Sequence, residues 1–396
     1  MTDGARPRPC VIPVPVWLKI TVRQIVWLMV LLAMLGSIIS GCSPFYVLRA
    51  AYEEGKILWR REPIPRYLEN SDLGPDVQDK LKLVLAVREY ARDVLKLNVG
   101  GSYSSYSYVD RPDLTYILTA APRTELRPYT WWFLIIGRVP YKGYFSKEEA
   151  SAAAKALDAE GYDTNVRTSA AFSTLGWFDD PLLSHLLRYD KVTLAEVVFH
   201  ELFHNTLYVK GAGHFNESLA NFVGGRAAID FFRDRFGAGS AEHQRAISAW
   251  EEELQFSEFI EKLAAALDEL YARKIPEEEK LLLRQQVFAR SKEEWSEWIA
   301  KHPAHRFRNF SKQPLNNAVI IHYVLYLKNL KLFEALYQAE GKSLVPTIDA
   351  IREAVAKGGE PFEAVRGLLS KRNNQAVVNT GVLERRNTTS RIEDRE

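Results

Sequence analysis

Residues 196–224 read EVVFHELFHNTLYVKGAGHFNESLANFVG. His200 and His204 stand four apart, so on a helix they share one face. Two imidazoles at that spacing can both reach one zinc ion, at roughly 2 Å from each nitrogen. Glu201 lies one residue on, beside that face. There its carboxylate can act as general base on a metal-activated water without displacing a ligand. A catalytic zinc takes three protein ligands and keeps a fourth position open. Glu217 is the candidate third ligand. The competing reading makes HELFH the polar face of an ordinary helix and Glu217 a carboxylate favoured by a helix dipole. Against it, Val198, Phe199, Leu202 and Phe203 surround the triplet, which implies a buried helix. Two histidines and a glutamate buried together need partners, and a metal supplies them.

The elements that must position these residues are partly written in the same stretch. Thr193 and Glu196 form a T-x-x-E capping pattern, which predicts a helix starting at 193, with Gly211 and Gly213 ending it. A second helix then carries Glu217 in its first turn and packs antiparallel to the first. Ala220, Gly224 and Gly225 are small and would let the two helices approach closely. Asn221, one turn after Glu217, could accept a hydrogen bond from the second N–H of a ligand histidine. An oxyanion needs one more donor, for which Tyr208, His214 and Tyr323 are the candidates. Asp179, Asp180 and Glu196 are available to bind a substrate amine, and nothing singles one out. His185, His243 and His322 lack ligand spacing, and His302 and His305, flanking Pro303, read as a surface turn.

The rest of the chain frames this site. Lys+Arg is 52 and Asp+Glu is 50 in 396 residues, a net charge of +2, which leaves no electrostatic footprint for nucleic acid. An apolar fraction of 47% can supply a sizeable core. Basic residues near the N-terminus precede an uncharged apolar run from Ile25 to Ile39, too short for a membrane span and suited to a signal-peptide core. The two cysteines are Cys10 and Cys42, so a chain cut before Cys42 has no disulfide. The expected organisation is a signal peptide over 1–41, a tether over 42–75, one large domain over 76–372 and a disordered polar tail over 373–396. Within the domain, strand-like LTYILTAA, WWFLIIGRV and DTNVRTSAAFSTLGWF and a helix over 147–161 fall in a sheet-containing part, about 100–190. Residues 191–372 read as helical. The fold class expected is α+β and predominantly helical, with an active-site helix pair, a small mixed β-sheet and a C-terminal helical bundle. Nothing in the sequence sets an oligomeric state.

Two resemblances sharpen these readings. Ile39-Ser40-Gly41-Cys42 resembles the bacterial lipoprotein box. That resemblance implies cleavage before Cys42, lipidation of Cys42 and, with Ser43 following, membrane anchorage on the periplasmic face of an outer membrane. HELFH followed by NESLA resembles the gluzincin pattern of thermolysin-like peptidases and large aminopeptidases, with a short spacing of twelve residues between His204 and Glu217. Together with VPYKGYFSKEEA, GYDTNVRTSAAFSTLGWFDDPLL and PLNNAVI, it resembles a family of predicted bacterial aminopeptidases over roughly residues 45–365. The resemblance implies a zincin-like zinc peptidase acting on peptides, with His200, His204 and Glu217 on zinc and Glu201 as base. One departure is Gly211-Ala212-Gly213-His214, where a VKGD-like run is usual. The residues alone are equally compatible with an endopeptidase, and they admit a hydrolase of another amide such as cell-wall material. A zincin fold kept for binding is a further reading, against which the intact Glu201 speaks.

Overall fold

The computed structural model describes residues 27–29, 44–70, 72–110, 113–133, 137–169 and 179–375. Most of the expected signal peptide, Cys42, the 170–178 part of the third strand-like segment and the tail from 376 lie outside the described residues. The chain divides into a unit of residues 1–49 and a much larger unit of residues 50–396. Among the described residues, no helix is long and apolar enough to cross a membrane.

The strands are short: β1 Glu62–Pro63, β2 Ser105–Ser107, β3 Thr115–Pro122, β4 Trp131–Phe133, β5 Gly137–Val139, β6 Lys142–Tyr144, β7 Tyr162–Ser169 and β8 Leu182–Leu183. They make three sheets instead of the single mixed one expected. In the largest, β3 lies between β6 and β7, antiparallel to both, and pairs with β7 along its whole length, from Thr115↔Ser169 to Pro122↔Tyr162. β4 and β5 pair antiparallel in a separate two-stranded sheet, so the segment WWFLIIGRV, expected as one strand, holds two, with residues 134–136 outside the described residues. The mixed sheet is β1-β2-β8, antiparallel then parallel. It draws two of its strands from segments that carry no alternating pattern, which is why the sequence did not reveal it.

The longer helices are α1 Pro44–Trp59, α2 Pro75–Asp93, α3 Lys147–Ala159, α4 Lys191–His204, α5 Gly213–Phe236, α6 Ala241–Ala272, α7 Glu277–Lys301, α8 Asn317–Leu327, α9 Leu330–Ala339 and α10 Leu344–Val355. A single turn covers Ile64–Tyr67, and residues 361–375 are also helical, so helix runs three residues into the tail expected from 373. Helix α3 starts where Ser146 Oγ accepts from the Glu149 amide, and it packs Ala154 and Leu157 against Leu118 and Ala120 of β3. The long α6 and α7 follow the apolar periodicity of their sequences. Phe256, Trp295, Phe307 and Phe310 fuse them into one aromatic core. The predominantly helical α+β class is thus the observed one.

A buried ion pair ties the sheet to this helical body. Arg284 of α7 donates to Asp163 of β7 at 2.7 Å, and the Asn317 amide at the start of α8 donates to the same carboxylate at 2.9 Å. The Asn317 side chain donates to Pro122 O at 2.9 Å, at the end of β3. A carboxylate taken out of water is tolerated only with its charge and lone pairs matched, and here both are.

Two boundaries differ from the sequence reading, and both bear on the site. Helix α4 begins at Lys191, because Asp190 caps it with accepted bonds from the Val192 and Thr193 amides and the Thr193 hydroxyl. The T-x-x-E pattern is therefore not the cap, and Glu196 is released for another partner. The helix ends at His204, not at the glycines. Helix α5 begins at Gly213, which puts Glu217 in its second turn. Asn216 fastens the intervening loop: its side chain accepts from the Val209 amide at 2.9 Å and donates to the Val209 carbonyl at 2.8 Å.

Candidate metal centre and active site

Helices α4 and α5 pack antiparallel at very close range. Going back along α4 from His204 to Glu196 meets Glu217, then Asn221, then Gly224 going forward along α5. The approach depends on Gly224. A Cβ there would lie 2.7 Å from the Glu196 carbonyl oxygen and 3.4 Å from His200 Cβ. On the neighbouring side, a Cβ at Gly225 would lie 2.4 Å from the Trp250 ring. Gly224 thus gives the close approach to α4 that small residues suggested, whereas Gly225, expected to serve the same approach, seats α5 against α6 instead.

The packing brings the three expected ligands together. His200 Nε2 is 3.2 Å from Glu217 Oε2 and 3.2 Å from His204 Nε2, and His204 Nε2 is 3.7 Å from the same oxygen. All three ligand atoms lie within 4.8 Å of one another, with both histidines buried. Among the described residues this is the only such group of three or more His, Cys, Asp or Glu side chains. Asn221 Oδ1 is 3.2 Å from His200 Nδ1, the contact expected of it. With a proton on Nδ1, His200 turns the lone pair of Nε2 toward the carboxylate and toward His204. Lone pairs that face one another at this range need a cation between them. Two imidazole nitrogens and one carboxylate oxygen are a donor set that fits a divalent metal such as zinc.

The electrostatics agree with a cation site. Burial opposes ionisation of Glu217, yet its contacts with His200 and His204 hold its carboxyl far below the usual range. Glu201, next in the chain to His200 and outside the three-atom cluster, goes the other way. Burial pushes its carboxyl up to about 7; the nearby His200 opposes the rise, and the charges of Glu217 and Asp180 add to it. A carboxyl that takes up and releases a proton near neutrality suits a general base.

The oxyanion candidates fare unevenly. Tyr208 is 46% exposed. Its hydroxyl is raised by burial and then by the Glu217 charge. His214 is kept from protonating by burial and by Lys328, and its Nδ1 is buried without a partner among the described residues. Tyr323 turns away: its hydroxyl accepts from Gln313 at 2.9 Å and its ring packs on Phe256 and Phe310. The tyrosine at the site is Tyr326, which sequence reasoning missed. Its ring centroid is 6.3 Å from that of His200, and its carbonyl accepts from Asn221 Nδ2 at 3.1 Å. Burial, then the charge of Glu217, holds its hydroxyl protonated. Arg167 donates to that hydroxyl at 3.4 Å. Tyr141, also unsuspected, is held protonated by burial and by Glu217 in the same way. The i, i+4 pair His322 and Tyr326 on one face of α8 was the available signal, but an apolar helix with aromatic residues reads first as core.

Other expectations are resolved residue by residue. Asp179 is committed to the Gly101 amide at 2.8 Å, and Glu196 to Arg306 at 2.9 Å. Asp180 is buried and close enough for its charge to act on Glu201. His302 is exposed and stacks on Trp298, as a surface residue can, but His305 is buried against Trp295 and Trp298, so the turn is only half a surface feature. His322 is kept neutral by burial and by Arg167, beside Tyr326.

Comparison with known proteins agrees with the geometry. Residues 45–360 match the family described as "Putative aminopeptidase", and the chain belongs to that family. Membership carries a peptidase-like hydrolase role on peptide substrates. No curated protein and no solved structure matches the chain.

Proposed function

We propose that this chain is a zinc-dependent aminopeptidase of gluzincin type, with His200, His204 and Glu217 as metal ligands and Glu201 as general base. The observation that carries the reading is the convergence of two imidazole nitrogens and one carboxylate oxygen within 4.8 Å of one another, both histidines buried, with Glu201 next in the chain to His200. Zinc bound there would supply Lewis acidity, acidifying water and polarising a peptide carbonyl. Glu201 removes the proton from that water and delivers it to the departing amine nitrogen. Tyr326, whose ring lies beside His200 and whose hydroxyl stays protonated, is the donor to the oxygen that gains charge. Removal of N-terminal residues, as opposed to internal cleavage, is supported by the family and by no single residue. Lipidation of Cys42 would hold the enzyme at a membrane surface facing the periplasm, on the strength of the Ile39–Cys42 motif.

The test is Glu201→Gln. The variant should keep its zinc and lose hydrolysis of unblocked peptides by about 10²–10⁴-fold. A Gln variant that retained wild-type turnover would take the base role away from Glu201.

A further inference from the structure

Behind His200 lies a run of buried polar groups that no motif accounts for. Asn221 Nδ2 donates to Glu253 Oε1 at 3.1 Å and to the Tyr326 carbonyl at 3.1 Å. The Tyr326 carbonyl can only accept, and Glu253, paired with Arg306, accepts as a carboxylate, so the atom facing them is the amide nitrogen and the atom facing His200 is the amide oxygen. The amide cannot be turned round without setting an oxygen against a carboxylate. An oxygen 3.2 Å from His200 Nδ1 requires a proton on that nitrogen. Glu253 is held in turn by Arg306, which donates to it at 2.8 Å and to Glu196 at 2.9 Å. Glu196 stands one turn before His200 on the same helix. The Arg306 amide is fixed as well, donating to Glu252 at 2.9 Å. The guanidinium and both carboxylates are largely buried, so each depends on the others for its charge balance.

We infer that Arg306, Glu253 and Asn221 form a relay that sets the His200 tautomer, holding the proton on Nδ1 and presenting the Nε2 lone pair to the metal position. Asn221 touches the ligand directly; Glu253 and Arg306 are positioning residues that act through it. His204 has no such support. Its Nδ1 is buried without a partner among the described residues. The relay therefore pre-arranges one ligand of the three, and it spans four separate elements: α4, α5, α6 and the loop after α7. A carboxylate–amide–imidazole chain of this kind also makes the imidazole a stronger donor, as an outer carboxylate does in many metal sites.

The test uses the purified full-length chain in detergent, labelled with 15N-histidine, in zinc-free buffer at pH 8, where neutral imidazoles predominate. Histidine 15N chemical shifts report which ring nitrogen carries the proton, and His200 is assigned as the signal lost in His200→Gln. Wild-type His200 should be the Nδ1–H tautomer. Two variants break the relay at different distances. Asn221→Leu removes the acceptor. Glu253→Gln leaves one oxygen for two donors; the charged Arg306 guanidinium, the stronger donor, takes it, so an amide NH2 faces Asn221 and that link fails. Both should shift the His200 tautomer and weaken zinc binding, read by chelator competition, by about 10- to 100-fold. A purely structural role for Glu253 would lower the melting temperature and leave the tautomer alone. An Nε2–H tautomer in the wild type would overturn the inference, and so would a Glu253→Gln protein with unchanged tautomer and unchanged affinity. If Glu253→Gln does not fold, the wild-type spectrum and Asn221→Leu decide. The zinc arm rests on the proposed function; the tautomer arm does not, so failure of wild-type zinc binding would sink that function without touching the relay.

Discussion

Gly224 is the position where packing and chemistry meet most tightly. Replacing it with alanine puts a carbon 2.7 Å from the Glu196 carbonyl oxygen, where 3.4 Å marks the start of ordinary contact. The blocking atom is backbone inside a helix, so it cannot swing aside. Helices α4 and α5 must part by about 0.7 Å, and overpacking of this kind costs about 1–3 kcal/mol. For a chain of this size that lowers the melting temperature by about 2–5 °C. The same movement carries Glu217, two turns earlier on α5, away from His200 and His204. Metal–ligand distances tolerate only about ±0.2 Å, so zinc affinity should fall at least about tenfold. The assay is thermal melting of the metal-free protein, followed by chelator competition on wild type and Gly224→Ala. A variant that melted within 1 °C of wild type, at about the precision of the scan, and bound zinc equally well would refute the close-packed helix pair.

Two further outcomes test other parts of the account. Burial, with the Asp180 charge, pushes the Glu54 carboxyl up to about 7, whereas the unfolded chain ionises it near 4.5. Between those values the unfolded chain gives up its proton and the folded chain keeps it, so this group lowers stability as pH rises through the window. Glu54→Gln should therefore match wild type at pH 4.5 and melt higher at pH 8; equal melting at pH 8 would show the carboxyl to be solvated. Cys42→Ser should release the protein from the membrane fraction and abolish labelling by a fatty-acid probe; a variant that still sediments with membranes would point to an uncleaved anchor.

Much of the site was legible because helical spacing is a local rule. His200, Glu201 and His204 needed only the 3.6-residue period to be placed, and Glu217 and Asn221 needed only a second helix on the far side of a glycine-containing turn. The small residue Gly224 gave the closeness of that second helix, while Gly225 serves a contact with Trp250 that no local pattern announced. What stayed hidden depends on contacts between distant segments. Glu253 and Arg306 lie 32 and 85 residues beyond Asn221 and carry no motif. Their meaning comes from the three-dimensional meeting of α6 with the loop after α7. Tyr326 sits in a helix whose apolar composition argues for core, and core is where most of that helix lies. The start of α4 misled for a different reason. Thr193 and Glu196 make a valid capping pattern, but Asp190 captures the amides first and Arg306 captures Glu196. The divided sheets follow the same logic, since two-residue strands such as β1 and β8 have no period to detect.

Binding of one zinc ion by His200, His204 and Glu217 underlies every catalytic role proposed above. Its most direct test is metal content by mass spectrometry on the purified full-length chain after zinc loading and desalting, beside His204→Ala. One zinc per wild-type chain and none retained by the variant, with both folded by circular dichroism, is the expected result. Stoichiometric zinc in His204→Ala, or none in the reconstituted wild type, would contradict it.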